Sequence, residues 1–276
     1  ADNCALFVNG VFENYQTLDG STLFLGAFFF TIQIYGDFSG YSDIAIGCAR
    51  LFGIDLMQNF KYPYFSRDIA EFWRRWHISL TTWFRDYIYI PLGGSRAGKW
   101  KSFRNTLVIF LVSGFWHGAN WTFVAWGAYH ALLFLPLLLL GQNRRYRDSV
   151  AENSFLPSVK ELTQMGATFL LVLLGWILFR SEDISQAAVY LERMFNVSLF
   201  SAPQLVGLGF GQLLLKKCFF FTALMFVVEW IGRKQAHGLM IEDLSLPVRY
   251  VIYTVLLIII YGFDASNPQG FIYFQF

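Results

Sequence analysis

The stretch TLVIFLVSGFWHGANWTFVAWGAYHALLFLPLLLL (106–140) is apolar except for the interruption WHGAN (116–120). A straight helix of this length would overshoot a bilayer core of about 30 Å, because an α-helix rises about 1.5 Å per residue. We therefore predict a helical hairpin or a broken helix at 116–120. Either arrangement places His117 inside the membrane or at the floor of a cavity.

The composition extends this membrane interpretation to the whole chain. Hydrophobic residues make up 55% of the 276 residues and charged residues only 14%, whereas soluble domains carry about 25% charged residues. Aromatic residues reach 20%, which is typical of packed membrane helices with aromatic belts. We predict an all-α, polytopic helical membrane protein with about five to seven membrane helices. The net charge of +2 does not indicate a nucleic-acid partner.

Four further apolar runs complete the expected spans. The first covers 22–38, and the later ones cover about 164–179, 217–232 and 248–263. A short apolar segment at 43–54 is too short to cross alone, because a spanning helix needs about 20 apolar residues. We expect this segment either to be re-entrant or to continue the first helix past a kink.

The region 61–104 is basic, with nine Lys and Arg residues against three acidic ones. Ser66 is the predicted N-cap of a helix whose first turn carries Asp68 and Glu71. The arginines of this helix fall off its apolar stripe, so the pattern predicts an amphipathic helix in the membrane interface. The stripe consists of Ile69, Phe72, Trp73, Trp76 and Leu80.

Positive charge orients the chain, since cytoplasmic loops of membrane proteins are enriched in Lys and Arg. The basic region 61–104 is therefore expected in the cytoplasm. If 106–140 forms a hairpin, then Arg144, Arg145 and Arg147 lie on the same side. A second amphipathic surface helix is predicted over 181–196, on the opposite side.

His117 is the residue in this chain most in need of an explanation, because ionisable groups inside a membrane are costly. A histidine exchanges a proton near neutral pH and is suited to general-base catalysis. Gly118 would allow a substrate or a backbone to approach closely. Asn120 would orient the ring or stabilise an oxyanion. The structural alternative is a histidine that is hydrogen-bonded between helices.

The other three histidines support function less strongly. His77 lies on the predicted interfacial helix, where a surface role is at least as well supported as a catalytic one. His130 falls on a different helix face from His117 and is expected to be structural. His237 lies in a polar loop and is expected to be solvated.

Several charged residues allow two interpretations each. Arg74, Arg75 and Arg85 would hold a phosphorylated donor, or they would contact anionic lipid headgroups. Asp37 and Asp43 would line a cavity or pair with a basic residue, or they would cap a helix end.

Cysteine spacing predicts neither disulfides nor a metal site. The three cysteines, Cys4, Cys48 and Cys218, form no CxxC pair, so we expect buried free thiols and no bound metal.

Long stretches of this sequence resemble the membrane-bound O-acyltransferase family, and most closely its alginate O-acetyltransferase branch. They are FTIQIYGDFSGYSDIAIGCARLFGI (30–54), NFKYPYFSRDIAEFWRRWHISLTTWFRDYIYIPLGG (59–94) and FWHGANWTFVAWGAYHALL (115–133). The end of the chain, GFIYFQF (270–276), is also similar to that branch. The first three matches are long and specific.

The resemblance implies a fold and a set of site residues. Members are multi-helix membrane proteins with a central funnel or tunnel. The near-invariant histidine of the family matches His117, and its second characteristic position matches His77. Asn120 and Trp116 are then expected to support the site. The resemblance also implies one membrane domain over 1–276, the C-terminal portion of a longer chain.

The resemblance implies acyl transfer as the chemistry, with His117 as catalytic base and no bound cofactor. Acetyl-CoA or another acyl thioester would be the donor. The acceptor side would involve an extracytoplasmic SGNH-type partner that completes O-acetylation of an exopolysaccharide, with the enzyme in the bacterial inner membrane. Two alternatives stay open, namely D-alanyl transfer to teichoic acid from a carrier-protein thioester and a proton-coupled transporter or channel.

Overall fold

The computed structural model describes residues 1–96, 98–204 and 212–262, so the similarity at 270–276 lies outside the described residues. Within these ranges the chain forms ten α-helices and no strand, which confirms the all-α prediction. The helices are α1 (Asp2–Glu13), α2 (Gly20–Leu51), α3 (Ile69–Arg75), α4 (Ile78–Phe84), α5 (Lys99–His117), α6 (Trp121–Leu139), α7 (Val159–Arg180), α8 (Ile184–Met194), α9 (Gln212–Gly232) and α10 (Leu246–Gly262). A π-helical turn, Arg85–Tyr89, follows α4.

The hydrophobic core is largely aromatic and forms where α1, α2, α7 and α8 meet. The ring of Phe12 in α1 stacks on Tyr190 in α8 at 4.5 Å. The Tyr190 hydroxyl donates a hydrogen bond to the carbonyl of Leu23 in α2 at 2.7 Å. Because aromatic side chains bury large areas and pack with specific geometry, these contacts fix the helices relative to one another.

The predicted hairpin over 106–140 is confirmed, with its break at Gly118. The two helices, α5 and α6, run antiparallel and are in very close contact. A Cβ atom added at Gly114 would lie 2.3 Å from the Phe123 carbonyl oxygen, and one added at Gly127 would lie 2.2 Å from that of Phe110. Only glycine therefore allows the two backbones to approach this closely.

The helix that contains the first predicted span, α2, is longer than an ordinary membrane span. Residues 20–51 form one unbroken helix, α2, of 32 residues, so the segment from residue 43 continues it and the re-entrant alternative is wrong. Asp37 and Asp43 lie inside α2, which makes the helix-cap alternative wrong as well. Asp43 instead pairs with His237, with Nε2 and Oδ2 3.3 Å apart.

The predicted interfacial helix after Ser66 differs from expectation in its cap and its length. Asp68 is the N-cap, because its carboxylate accepts a hydrogen bond from the amide of Glu71 at 2.7 Å. The Ser66 hydroxyl donates instead to the Pro63 carbonyl. The helix ends after seven residues at Arg75, and α4 begins only after His77.

The charged residues of α3 and of the segment just before it are also not on a solvated surface. The side chains of Arg67 and Arg75 are 4% and 10% exposed, and that of Glu71 between them is 1% exposed. Their opposite charges lie one helical turn apart, so each arginine neutralises the shared carboxylate and all three groups are buried together.

Two described helices, α6 and α7, are long and apolar enough to cross a membrane, and α10 is a shorter apolar helix of 17 residues. The expected total of five to seven spans stays a prediction. The second amphipathic helix is present as α8, which buries Ala187, Tyr190 and Met194 on one face.

The free cysteines divide into two environments. Cys4 and Cys218 are buried as expected, whereas Cys48 on α2 is exposed, so the expectation of three buried thiols is wrong for that residue.

Candidate active site

A cavity of about 480 Å³ lies between the α3–α4 segment and the α5–α6 hairpin. Its lining includes both His77 and His117. Arg74, Arg85 and Arg144 also line this cavity. The structure therefore brings the two histidines and these three arginines to one cavity.

His117 is the last residue of α5 and comes directly before the break at Gly118. Three aromatic rings surround its imidazole, with centroids 5.0 to 5.2 Å away, those of Trp116, Trp126 and Phe179. The hairpin turn thus places an imidazole against the cavity, with an apolar wall behind it.

His77 occupies the joint between α3 and α4 in a left-handed conformation, with φ 43° and ψ 57°. Such a conformation costs a non-glycine residue about 1–3 kcal/mol and persists only where the surroundings impose it. Its ring packs edge-on against Phe38 at 4.6 Å and lies 6.2 Å from Trp116. The joint turns the imidazole toward the cavity. The single continuous helix that the apolar stripe predicted would have no such joint at His77.

Trp116 and Asn120, the two expected supporting residues, have different surroundings. Trp116 contacts the rings of both His77 and His117. The Asn120 side chain instead accepts a hydrogen bond from the amide of Thr122, which caps α6, and donates to the carbonyl of Glu182 at 2.6 Å. Asn120 therefore joins the start of α6 to the end of α7.

The three candidate donor-binding arginines also have different surroundings. Arg74 and Arg85 line the cavity, and Arg75 is held within the protein by Glu71 at 2.6 Å. Arg85 pairs with Asp86 at 2.7 Å, and this hydrogen bond lowers the pKa of the Asp86 carboxyl. Both partners are well exposed, so this ion pair is screened by solvent.

Arg74 also connects the cavity wall to the loop after α6. Its guanidinium donates to the carbonyls of Asn143, at 2.6 Å, and Tyr146. Arg67 reaches the same loop through Asp148, at 3.1 Å. These bonds hold the loop that carries Arg144 against α3.

Sequence reasoning missed this buried charge network. Arg67 and Arg75 each lie four residues from Glu71, and that spacing was the available signal. The pairing of Arg67 with Asp148 could not be predicted from local sequence, because the tertiary fold brings the two residues together.

The remaining histidines lie away from the cavity lining. His130 is fully buried among aromatic rings, as expected for a structural histidine, with Trp73 and Trp126 at 5.0 and 5.2 Å. His237 is half-exposed and pairs with Asp43, whereas a solvated side chain was expected. The hydrogen bond to Asp43 raises the pKa of the His237 imidazole.

The comparisons with known proteins identify the family. The model of the MBOAT, membrane-bound O-acyltransferase family matches residues 9–155. That match includes α2 to α6, and therefore both His77 and His117. It covers more than half of the chain.

Several curated bacterial proteins are similar over most of this chain. The probable alginate O-acetylase AlgI of Pseudomonas aeruginosa is 41% identical over 78% of this chain and 40% of its own length. That of Azotobacter vinelandii is 43% identical over 78% of this chain and 42% of its own. The peptidoglycan O-acetyltransferase of Helicobacter pylori is 37% identical over 72% of this chain and 36% of its own.

The chain thus spans about two-fifths of the length of these relatives. The family match includes the two histidines of the cavity, and among the described residues two helices are apolar enough to cross a bilayer. The chain is a membrane protein and belongs to the membrane-bound O-acyltransferase family.

Proposed function

We propose that this chain carries the reaction centre of an O-acetyltransferase that supplies acetyl for O-acetylation of an exopolysaccharide such as alginate. The observation that carries the proposal is the shared cavity of His77 and His117 in a chain of this family. The alginate O-acetylases among its relatives support acetyl as the group and a polysaccharide as the final acceptor.

His117 acts as the general base in this proposal. The oxygen of an acceptor hydroxyl attacks the carbonyl carbon of a thioester, and the hydroxyl proton passes to the imidazole of His117. The carbon–sulfur bond then breaks, and the thiolate leaves and takes up a proton. His77 lines the same cavity and either orients the acceptor or donates to the developing oxyanion. Trp116 packs against both rings and maintains their spacing.

The basic part of the cavity is suited to a donor that carries phosphates. Arg74, Arg85 and Arg144 line it, and guanidinium groups bind phosphate oxygens with paired hydrogen bonds. The cavity follows α5 from Thr106 to His117, about 16 Å at the rise of an α-helix. We infer that acetyl-CoA binds from the cytoplasm, with its phosphates at the arginines and its thioester near His117.

The topology of the proposal follows from charge. The basic region 61–104 and the loop with Arg144 face the cytoplasm under the positive-inside rule. The hairpin turn at Gly118 then faces outward, where an SGNH-type extracytoplasmic partner completes transfer to the polymer. The complete protein is a multi-pass protein of the bacterial inner membrane in this arrangement.

The experiment that tests the function measures acetyl transfer in membrane vesicles that contain the complete protein. Labelled acetyl-CoA is supplied on the cytoplasmic face, and labelled acceptor is collected on the other. His117→Ala should abolish transfer, and His237→Ala should leave it unchanged, because His237 lies outside the cavity. Equal transfer by His117→Ala and the parent protein, at equal protein level, overturns the proposal.

D-alanyl transfer is the second candidate because two teichoic acid D-alanyltransferases are also similar. That of Streptococcus thermophilus is 40% identical over 36% of this chain, and that of Bacillus subtilis is 30% identical over 55%. Both matches cover less of the chain than the acetylase matches do. In the same vesicles, a D-alanyl carrier protein replaces acetyl-CoA, and transfer from the carrier alone would favour this candidate.

A transporter is distinguished in the same assay. An acyltransferase delivers label to the acceptor while CoA stays on the cytoplasmic side, whereas a transporter would move the intact donor or a proton without forming a labelled ester.

A further inference from the structure

Two backbone hydrogen bonds bracket the turn that carries His77. The amide of Ile78, directly after this residue, donates to the carbonyl of Asn59 at 2.9 Å. The amide of Lys61 donates to the carbonyl of Arg75 at 3.0 Å. The segment around Asn59 therefore lies alongside the joint between α3 and α4 and holds it on both sides.

The side chain of Asn59 completes this contact. Its Oδ1 accepts hydrogen bonds from the Ser79 amide at 3.2 Å and from the Ser79 hydroxyl at 2.6 Å. Its Nδ2 donates to the hydroxyl of Ser42 on α2 at 3.3 Å. One carboxamide thus ties the start of α4 to α2.

Asn59 caps the N-terminus of α4 although it is not part of that helix. His77 is the N-cap residue of α4, but its own side chain caps no amide. The amides of Ile78 and Ser79, the first two of α4, are satisfied by Asn59 instead. An N-cap side chain ordinarily bends back over its own helix to accept such an amide. Because Asn59 supplies the acceptors, the imidazole of His77 is turned into the cavity.

We propose that Asn59 is a positioning residue for acyl transfer, which caps α4 in place of His77 and so holds the His77 imidazole at the reaction centre. The inference rests on the proposed function, since it assumes that His77 takes part in the reaction. It assigns to Asn59 no contact with either substrate. The left-handed backbone of His77 requires such an external restraint, because this conformation persists only when its surroundings impose it.

The experiment compares Asn59→Ala, Asn59→Asp and Ser79→Ala in vesicles that contain the complete protein. Asn59→Ala should lower the kcat of acetyl transfer about 10- to 100-fold, as misplacement of a reacting group by about 1 Å does, with the KM for acetyl-CoA unchanged. Asn59→Asp keeps the oxygen acceptor and should restore most of the rate. Ser79→Ala removes only one donor to Asn59 and should give an intermediate loss. Gln58→Ala is the matched control, because the neighbouring Gln58 bonds the carbonyl of Ala236.

A second readout does not depend on activity. Diethyl pyrocarbonate modifies exposed imidazoles, and mass spectrometry of the His77 peptide gives the rate of modification. Asn59→Ala should make this rate faster than in the parent protein and in Gln58→Ala, because the ring leaves its packing against Phe38.

The outcomes separate the inference from the proposed function. If His117→Ala abolishes transfer while Asn59→Ala changes neither the kcat nor the His77 modification rate, the inference is wrong and the function stands. If Asn59→Ala lowers transfer further in a His77→Ala background by the same factor, Asn59 does not act through His77. If His117→Ala transfers normally, the proposed function fails, and faster His77 modification in Asn59→Ala still measures the restraint.

Discussion

At the scale of single residues, His77 combines a strained backbone with a position on the cavity wall. Its φ of 43° is a conformation in which glycine is at ease and a side chain is not. The protein keeps an imidazole at this position nonetheless. Strain that is retained at a cavity is typical of functional positions.

Replacing His77 by glycine separates the backbone from the side chain. Glycine adopts this conformation without steric cost, which offsets part of the packing that is lost with the buried ring, so His77→Gly should lower the free energy of unfolding less than His77→Ala does. Acetyl transfer should nevertheless fall about 100-fold or more, because the imidazole is lost. Ala151→Gly is the control, since Ala151 has a φ of 50° and does not line the cavity. Full transfer by His77→Gly would show that His77 is structural.

The pair formed by His237 and Asp43 predicts a pH dependence of stability. The bond to Asp43 raises the pKa of His237, and partial burial of the ring and the charge of Arg50 oppose the shift. A raised histidine pKa stabilises the fold below the unfolded value of about 6.5, and the gain is lost as the pH rises through the folded pKa. Both side chains are half-exposed, so the gain is about 0.2–1 kcal/mol.

The measurement for this pair is thermal unfolding in detergent across pH. Asp43→Asn should unfold at a lower temperature than the parent protein in mildly acidic solution and at the same temperature in alkaline solution. A difference that grows as the pH rises would contradict the assignment of the charge to His237.

At the scale of elements, the α5–α6 hairpin was predictable because the sequence pattern indicates both its length and the position of its break. The apolar stretch is too long for one crossing, and WHGAN supplies polar and flexible residues at the turn. The joint at His77 was not predictable in the same way. The apolar residues from Ile69 to Leu80 recur at one helical spacing on both sides of the break. This pattern therefore does not indicate a left-handed residue between α3 and α4.

The close packing of this hairpin predicts an intolerance to small substitutions. A Cβ at Gly127 would lie 2.2 Å from the Phe110 carbonyl oxygen, so the helices must separate to accommodate alanine. We expect Gly127→Ala to lower the free energy of unfolding by about 1–3 kcal/mol, the usual cost of overpacking. Gly166→Ala on α7 is the control, since a Cβ there meets open space, and it should be neutral or stabilising. Equal stability of the two variants would contradict the tight crossing.

The buried charges of α3 illustrate what sequence reasoning leaves out. The spacing of Arg67, Glu71 and Arg75 fits a solvated helix surface as well as a buried network. The network is buried because the loop after α6 covers it. Asp148 of this loop pairs with Arg67, and the aromatic ring of Tyr146 packs on Arg67 at 4.3 Å. Such partners are brought together only by the tertiary fold.

This network predicts a large effect of neutralising its shared carboxylate. Glu71→Gln leaves the buried guanidinium of Arg75 without its counter-ion, while Arg67 keeps Asp148, and the loss costs about 3–5 kcal/mol. Asp86→Asn breaks an exposed pair and should not change stability measurably. The test is the thermal unfolding temperature of each variant in detergent, and an equal shift for both would show that burial of the network is not what matters.

At the scale of the whole molecule, the composition predicted the all-α membrane fold, and the similarity to a known family located both histidines. The similarity implied one site for His77 and His117, but the sequence alone did not show how α3 and α4 pack against the hairpin to form the cavity between them. The same packing excludes Arg75 from the cavity and admits Arg74 and Arg85. Residue types and spacing do not determine which neighbouring arginine faces inward.

The most direct test of acyl transfer at this cavity is acetylation of the polymer by cells that make His117→Gln of the complete protein. Glutamine keeps much of the size and hydrogen-bonding capacity of histidine but accepts no proton near neutral pH. Ester-linked acetyl on the purified polymer, measured at equal protein level, should be lost in His117→Gln and retained in His237→Gln. Acetylation at the parental level in His117→Gln would contradict the assignment of His117 as the general base.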